Sequence, residues 1–239
     1  MMKKKLIIGQ MHLAKLAPNN SLRRSAISKV FLHELPNAKE LFEVVADEKE
    51  LLPDIIEKDY WLMHCLWGIQ QNQYRFELKG GTSLSKGFGI IERFSEDIDI
   101  QIHPNDPNVK TGSNHDRPGH IASRAKFYDD TSKILNVPGL RFERDVNFDD
   151  HTGKMRSAGI KAVYESFFSG DPSLKPSVIL ELGFDQTTPN ISCTITSWAF
   201  EKALSLKEAV LDNRATNVSC YCPEYTFRGK ITNDLYQIS

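Results

Sequence analysis

The chain has 239 residues, with 30 Lys+Arg against 31 Asp+Glu, and is 40% hydrophobic and 10% aromatic. So much apolar surface demands burial and excludes disorder as a whole-chain reading, while a formal net charge of −1 excludes a generally basic nucleic-acid coat but not a local basic channel. No run approaches the roughly 18–20 apolar residues of a membrane span, and four scattered cysteines without a CxxC offer neither a disulfide framework nor a zinc knuckle.

The start, Met1 to Gly9, has the basic end of a signal peptide, but its apolar stretch stops at Gln10 and meets His12 and Lys15. That is too short for an h-region, so the expected location is cytoplasmic, with no membrane partner. Residues 1–38 mix Lys/Arg clusters with short apolar stretches and read as an N-terminal extension. A helical pattern runs from Ala38 to about Ile69, clearest from Pro53-Asp54, where Asp54 is placed to cap and Glu57 follows three residues later. Ile55, Asp59, Leu62, Leu66 and Ile69 then share one face. Four of these are core residues; Asp59 is either paired inside or turned toward a site.

Tyr74–Leu78 alternates as a strand, Lys79-Gly80-Gly81-Thr82-Ser83 is a glycine turn, and a helix is predicted to follow through Glu92. Ser95 to Ile102 alternates strictly, with Ile98, Ile100 and Ile102 on one side, and ends at His103-Pro104. A polar loop over 104–120, a helix over 121–135 and β-like stretches around 140–148 and 158–168 come next. Ser177–Phe184 is a second strong strand; residues around 198–212 read as helical, after which the pattern loses definition. Strands separated by a helix argue for α/β (α+β) packing with a mixed sheet flanked by helices.

Alternation sets Asp97 and Asp99 on one strand face, about 6–7 Å apart. Two carboxylates at that offset suit a pair of divalent ions, and oxygen-only ligation suits Mg²⁺, with Mn²⁺ as an alternative. Alone, such a strand is more often a solvated edge. Here a glycine turn precedes it, with glycines that let the backbone approach a triphosphate closely. Thr82 and Ser83 open the next helix, where backbone N–H groups and hydroxyls attract phosphate. Glu181 is a third acid, pointing away from the Val178, Leu180 and Leu182 side of its strand. A lone acid there is costly unless salt-bridged or metal-bound, and both remain open. His115 and His120 read as solvated loop residues; Arg124, Lys126, Arg141 and Arg144 are candidates for an acceptor groove; Trp61, Trp67 and Trp198 read as core.

Ile56–Trp61, then Leu78–Lys86, then Glu92–Asp99, in that order, resemble the AbiEii-type nucleotidyltransferase toxins. These belong to type IV toxin–antitoxin and abortive-infection systems, within the DNA polymerase β-like nucleotidyltransferase superfamily, and the resemblance runs from about residue 40 to about 230. It implies a minimal nucleotidyltransferase core over 39–200 and transfer of NMP from an NTP to an acceptor hydroxyl, of tRNA or another RNA. It also implies a cognate antitoxin encoded nearby, with no direct contact required. Gly80, Gly81 and Thr82 match the nucleotide-phosphate turn, and Ser95, Asp97 and Asp99 the Ser-x-Asp-x-Asp metal motif. Glu181 takes the place of the third carboxylate. In the family a lysine of a Phe-x-Glu-Lys segment contacts the triphosphate; here Phe227-Arg228-Gly229-Lys230 keeps the lysine, with glycine for glutamate. Residues 201–239 are therefore expected to form a truncated C-terminal helical region, and a catalytically inactive nucleotide-binding remnant is the alternative to an active enzyme. The segment Glu57-Lys58-Asp59-Tyr60-Trp61 matches a family signature, and the resemblance implies that it buttresses the site, with Asp59 holding a lysine.

Overall fold

The computed structural model of the chain describes residues 29–91, 97–168 and 175–225. Two helices open it, α1 (Ala38–Lys49) and α2 (Pro53–Gln71), followed by strand β1 (Arg75–Lys79). A short helical turn, α3 (Gly80–Thr82), runs straight into a π-helical turn over Ser83–Gly87. Strand β2 (Asp97–His103), helix α4 (Pro118–Ile134), strands β3 (Arg141–Asp145), β4 (Ser157–Val163), β5 (Ser177–Gly183) and β6 (Asn190–Ile195), helix α5 (Trp198–Ser205) and strand β7 (Ala215–Tyr221) complete it.

The strands form one mixed sheet in the order β3-β4-β5-β2-β1-β7-β6. β2 lies antiparallel to β1 and parallel to β5, so the two strands richest in alternating apolar residues sit side by side at its centre. Ile98 and Ile100 are fully buried and Ile102 is 2% exposed, beside fully buried Val178 and Leu180. Each such side chain contributes about 1.5–3 kcal/mol by leaving water. The alternation that buries these residues delivers Asp97, Asp99 and Glu181 to the opposite face.

α2 packs against α1, α5, β5 and β7, and this position buries it on nearly every side. Glu57, Lys58 and Asp59 are as buried as Ile56 and Tyr60. The helix starts one residue before the expected cap: Leu52 is the N-cap and Pro53 occupies the first turn, where its missing N–H costs nothing. Glu57 is thus free of capping and turns inward.

The region expected to be helical beyond residue 200 differs from that expectation. α5 ends at Ser205, and Ala215–Tyr221 forms β7, which pairs parallel with β1 and so belongs to the same sheet. The helix expected after the glycine turn is likewise cut to the two short turns ending at Gly87. Among the described residues, no helix is long and apolar enough to cross a membrane.

Candidate active site

The site is built where β1 ends. Lys79 lies opposite Asp99 in the sheet register, and the chain turns at Gly80 with φ +68°. A Cβ on Gly80 would collide with Asp99 Oδ2 and stand 3.0 Å from its Cγ. Glycine is therefore needed twice, for the left-handed backbone and for the contact with the carboxylate.

Thr82 donates its hydroxyl to the Asp97 carbonyl at 2.6 Å, tying the turn to the first residue of β2. The Ser83 hydroxyl donates to the Gly80 carbonyl at 3.1 Å, and both side chains are fully buried. These hydroxyls brace the turn from inside. Their orientation differs from the expected one toward an anion, so phosphate contact at Thr82 and Ser83 would fall to the backbone.

On the other side of β2, Asp97 lies opposite Ile179 and Asp99 opposite Glu181. Burial raises the Glu181 carboxyl to about 7, helped by the charge of Asp99, a hydrogen bond with it, and the charge of Asp97; Lys79 opposes the rise. Three acids thus share one electrostatic environment, which raises the proton affinity of Glu181. Among the described residues no three His, Cys, Asp or Glu side chains converge closely enough to cage a metal by themselves. An open, oxygen-only set is nevertheless what Mg²⁺ takes, since it is commonly held by one or two carboxylates together with water and substrate phosphate. The mutual repulsion recorded in Glu181 is what a divalent cation relieves, so the residues fit that ion.

Behind the turn, Asp59 of α2 is fully buried and forms an ion pair with Lys86 of the π-helical turn. Its second oxygen accepts from the Trp198 amide at 3.0 Å, while the Lys86 ammonium stands 4.0 Å over the Trp198 ring. Burial pushes the Asp59 carboxyl up; Lys86 and the Trp198 N–H oppose it. Asp59 therefore holds a lysine, as the family resemblance implied, and that lysine belongs to the element carrying the glycine turn. Glu57 accepts from the Ser166 hydroxyl at 2.6 Å and the Phe167 amide at 3.1 Å, securing the chain after β4.

Two expected groove residues, Arg124 and Arg144, are spent internally, while Lys126 and Arg141 pair with acids at the exposed surface. Arg124 is fully buried and donates to the carbonyls of Lys110, His115 and Lys154. Arg144 pairs with Asp149 at 2.8 Å and Asp129 at 3.0 Å, and Lys126 pairs with Asp130. Arg141 pairs with Glu143. His115 and His120 face each other edge-on, 5.0 Å between ring centres. Ser95 and Lys230 lie outside the described residues.

Two features went unread in the sequence. Lys79 shares the sheet face of Asp99 and Glu181, and the same face continues through Gln101 and His103 into a cavity of about 930 Å³. His103 pairs there with Glu77 at 2.5 Å. The alternation that exposed Asp97 and Asp99 runs on through residues 101 and 103, and that extension was the available signal.

A solved structure similar to this chain is that of MenT4, a nucleotidyltransferase toxin from Mycobacterium tuberculosis H37Rv, at 18% identity and a TM-score of 0.44 over 68% of this chain. The chain spans 50% of the length of that structure. Comparison with curated protein sequences returned no match. A family model described as the nucleotidyl transferase AbiEii toxin of type IV toxin–antitoxin systems matches residues 62–233, which contain the glycine turn, both aspartates and Glu181. With well over half its length matched, the chain belongs to the AbiEii family of nucleotidyltransferase toxins.

Proposed function

We propose that the chain transfers NMP from a nucleoside triphosphate to a hydroxyl of an RNA acceptor, tRNA foremost, in a Mg²⁺-dependent reaction centred on Asp97, Asp99 and Glu181. The observation that carries this reading is the register of β2 against β5, which brings Glu181 beside Asp99 and raises its proton affinity. Asp97, Asp99 and Glu181 would hold the Mg²⁺, which when bound supplies charge neutralisation on the phosphates. RNA as the acceptor, and an antitoxin as the partner that restrains the enzyme, rest on family membership.

In the reaction the acceptor oxygen bonds to the α-phosphorus as the bond to the bridging oxygen breaks and pyrophosphate leaves. Glu181, ionised, accepts the hydroxyl proton, a task suited to a carboxyl whose affinity for protons lies close to neutrality. Gly80 and Gly81 present backbone rather than side chain to the phosphates. Positioning and charge supply most of the acceleration in such transfers.

Label transfer tests the reading. Purified protein is incubated with Mg²⁺, each α-labelled NTP in turn and total tRNA, beside an Asp99→Ala variant. Label on RNA from the native chain alone is the expected result, with the variant reduced at least about 10²-fold. No label from the native chain with any NTP would defeat the proposal.

A further inference from the structure

The cations around the carboxylates are nearly all committed. Lys86 is held by Asp59, Lys161 by Asp145 at 3.4 Å, Lys154 by Asp116 at 2.9 Å, and Arg156 by Asp116. Lys79 differs. It ends β1 directly opposite Asp99 and is half-buried on the carboxylate face, yet among the described residues its ammonium closes no hydrogen bond or ion pair.

Gly183 on β5 lies two residues beyond Glu181 on the same face, and a Cβ there would stand 3.6 Å from Lys79 Nζ. That distance places the ammonium over β5, across β2 from its own strand. The ammonium thus rests beside the acids without hydrogen-bonding to one of them. With Glu181 acting on it through charge alone, a half-buried lysine in this position loses hydration that no hydrogen bond among the described residues replaces. A bound anion would return it.

Resting on the nucleotidyl-transfer reading, we propose that Lys79 grips a phosphate oxygen of the nucleotide being transferred and neutralises the charge that develops there as the α-phosphorus changes partners. Its position one strand from Asp99 and two residues from the pairing partner of Gln101 sets it between the carboxylates and the large cavity. A nucleotide phosphate placed over Asp99 lies within its reach. An acceptor backbone phosphate offers the same chemistry from the cavity side, but the cavity lining carries Glu77, Asp116, Asp150 and Asp185 against Lys154 and Arg156, an acidic excess that disfavours a polyanion there. The nucleotide is therefore the source.

The test uses the full chain and its Lys79→Gln and Lys79→Arg variants. Label transfer is followed against NTP and against RNA concentration, and the α,β-methylene analogues of ATP, CTP, GTP and UTP are titrated in turn. Lys79→Gln is expected to lower kcat/KM for the NTP about 10²-fold, the usual loss when one oxyanion donor is removed. Analogue binding weakens with it, the RNA KM stays unchanged, and Lys79→Arg recovers most of the loss because a guanidinium also donates to phosphate. A rise confined to the RNA KM would overturn the assignment in favour of an acceptor phosphate. Equal kinetics in Lys79→Gln, or a loss accompanied by a lowered Tm and unrelieved by arginine, would overturn it outright. Were the native chain inert in transfer, the transfer reading would fall, and the analogue titrations would still decide whether Lys79 holds a nucleotide.

Discussion

Gly80 carries two constraints at once, and each disfavours a side chain. Its φ of +68° costs an L-residue about 1–2 kcal/mol. The Cβ of any replacement would also meet the Asp99 carboxylate, whose Cγ lies 3.0 Å away from that point. Relief requires either the turn or Asp99 to move. A displacement of about 1 Å at a reacting centre is enough to cost roughly 10²-fold in rate. Gly80→Ala is accordingly expected to lose only about 1–2 kcal/mol of stability in urea denaturation while transfer falls at least about 10²-fold. A Gly80→Ala chain that unfolds at the native urea midpoint and transfers label at the native rate would show that this contact is dispensable. Gly81 has no positive φ, so its replacement lacks the first penalty.

At the scale of the element, α2 illustrates how polar residues come to lie inside a helix buried on nearly every side. Asp59 holds Lys86 and the Trp198 amide, and Lys86 has only 12% of its side chain exposed. Removing one partner of such a pair strands the other charge, at about 3–5 kcal/mol. Asp59→Asn keeps an oxygen for the Trp198 N–H but leaves Lys86 unopposed, so a loss of that size is expected in denaturant titration. Adding Lys86→Met, which removes the stranded charge, should recover much of it. Equal stability of Asp59→Asn and the native chain would show the pair to be idle. The sequence made Asp59 visible because it interrupts an apolar helix face, and β2 and β5 were legible because their alternation is unbroken. β7 was not. Asn217 has φ +54°, and Ala215 pairs with Ile195 while Val218 pairs with Cys193, so three steps on β7 match two on β6. The bulge puts the buried residues Ala215, Val218 and Cys220 three and then two apart, which neither a strand nor a helix period describes. The C-terminal stretch therefore looked patternless in sequence although it completes the sheet.

Across the whole molecule, the decisive information is which strands become neighbours, and no local pattern encodes that. Asp97, Asp99 and Glu181 could each be named from alternation, but their proximity follows from β2 pairing parallel with β5 after the intervening chain has crossed to β3 and β4 and returned. That topology couples the site to the stability of the fold. Glu181 is raised from 4.5 to about 7 by burial and by its neighbouring acids. The folded chain therefore binds a proton there that the unfolded chain releases earlier. The stability this proton supplies is complete below about 4.5 and is lost as pH rises through about 7. In a magnesium-free buffer the Tm of the native chain is expected to decline relative to that of Glu181→Gln as pH is raised from 5 to 8. Mg²⁺ has the opposite profile, because it competes with the proton for the same oxygens: added in excess, it should raise Tm at pH 8 and have little effect at pH 5. Glu181→Gln should respond less to the ion, and with little dependence on pH over this interval. A Tm increment from Mg²⁺ that is equal at pH 5 and pH 8, and equal in the variant, would mean that the ion binds elsewhere and that the three acids are held together by the sheet alone. The predicted profile would instead show that the sheet spends part of its stability to keep three like charges together at neutral pH, ready for a divalent cation and a nucleotide to relieve.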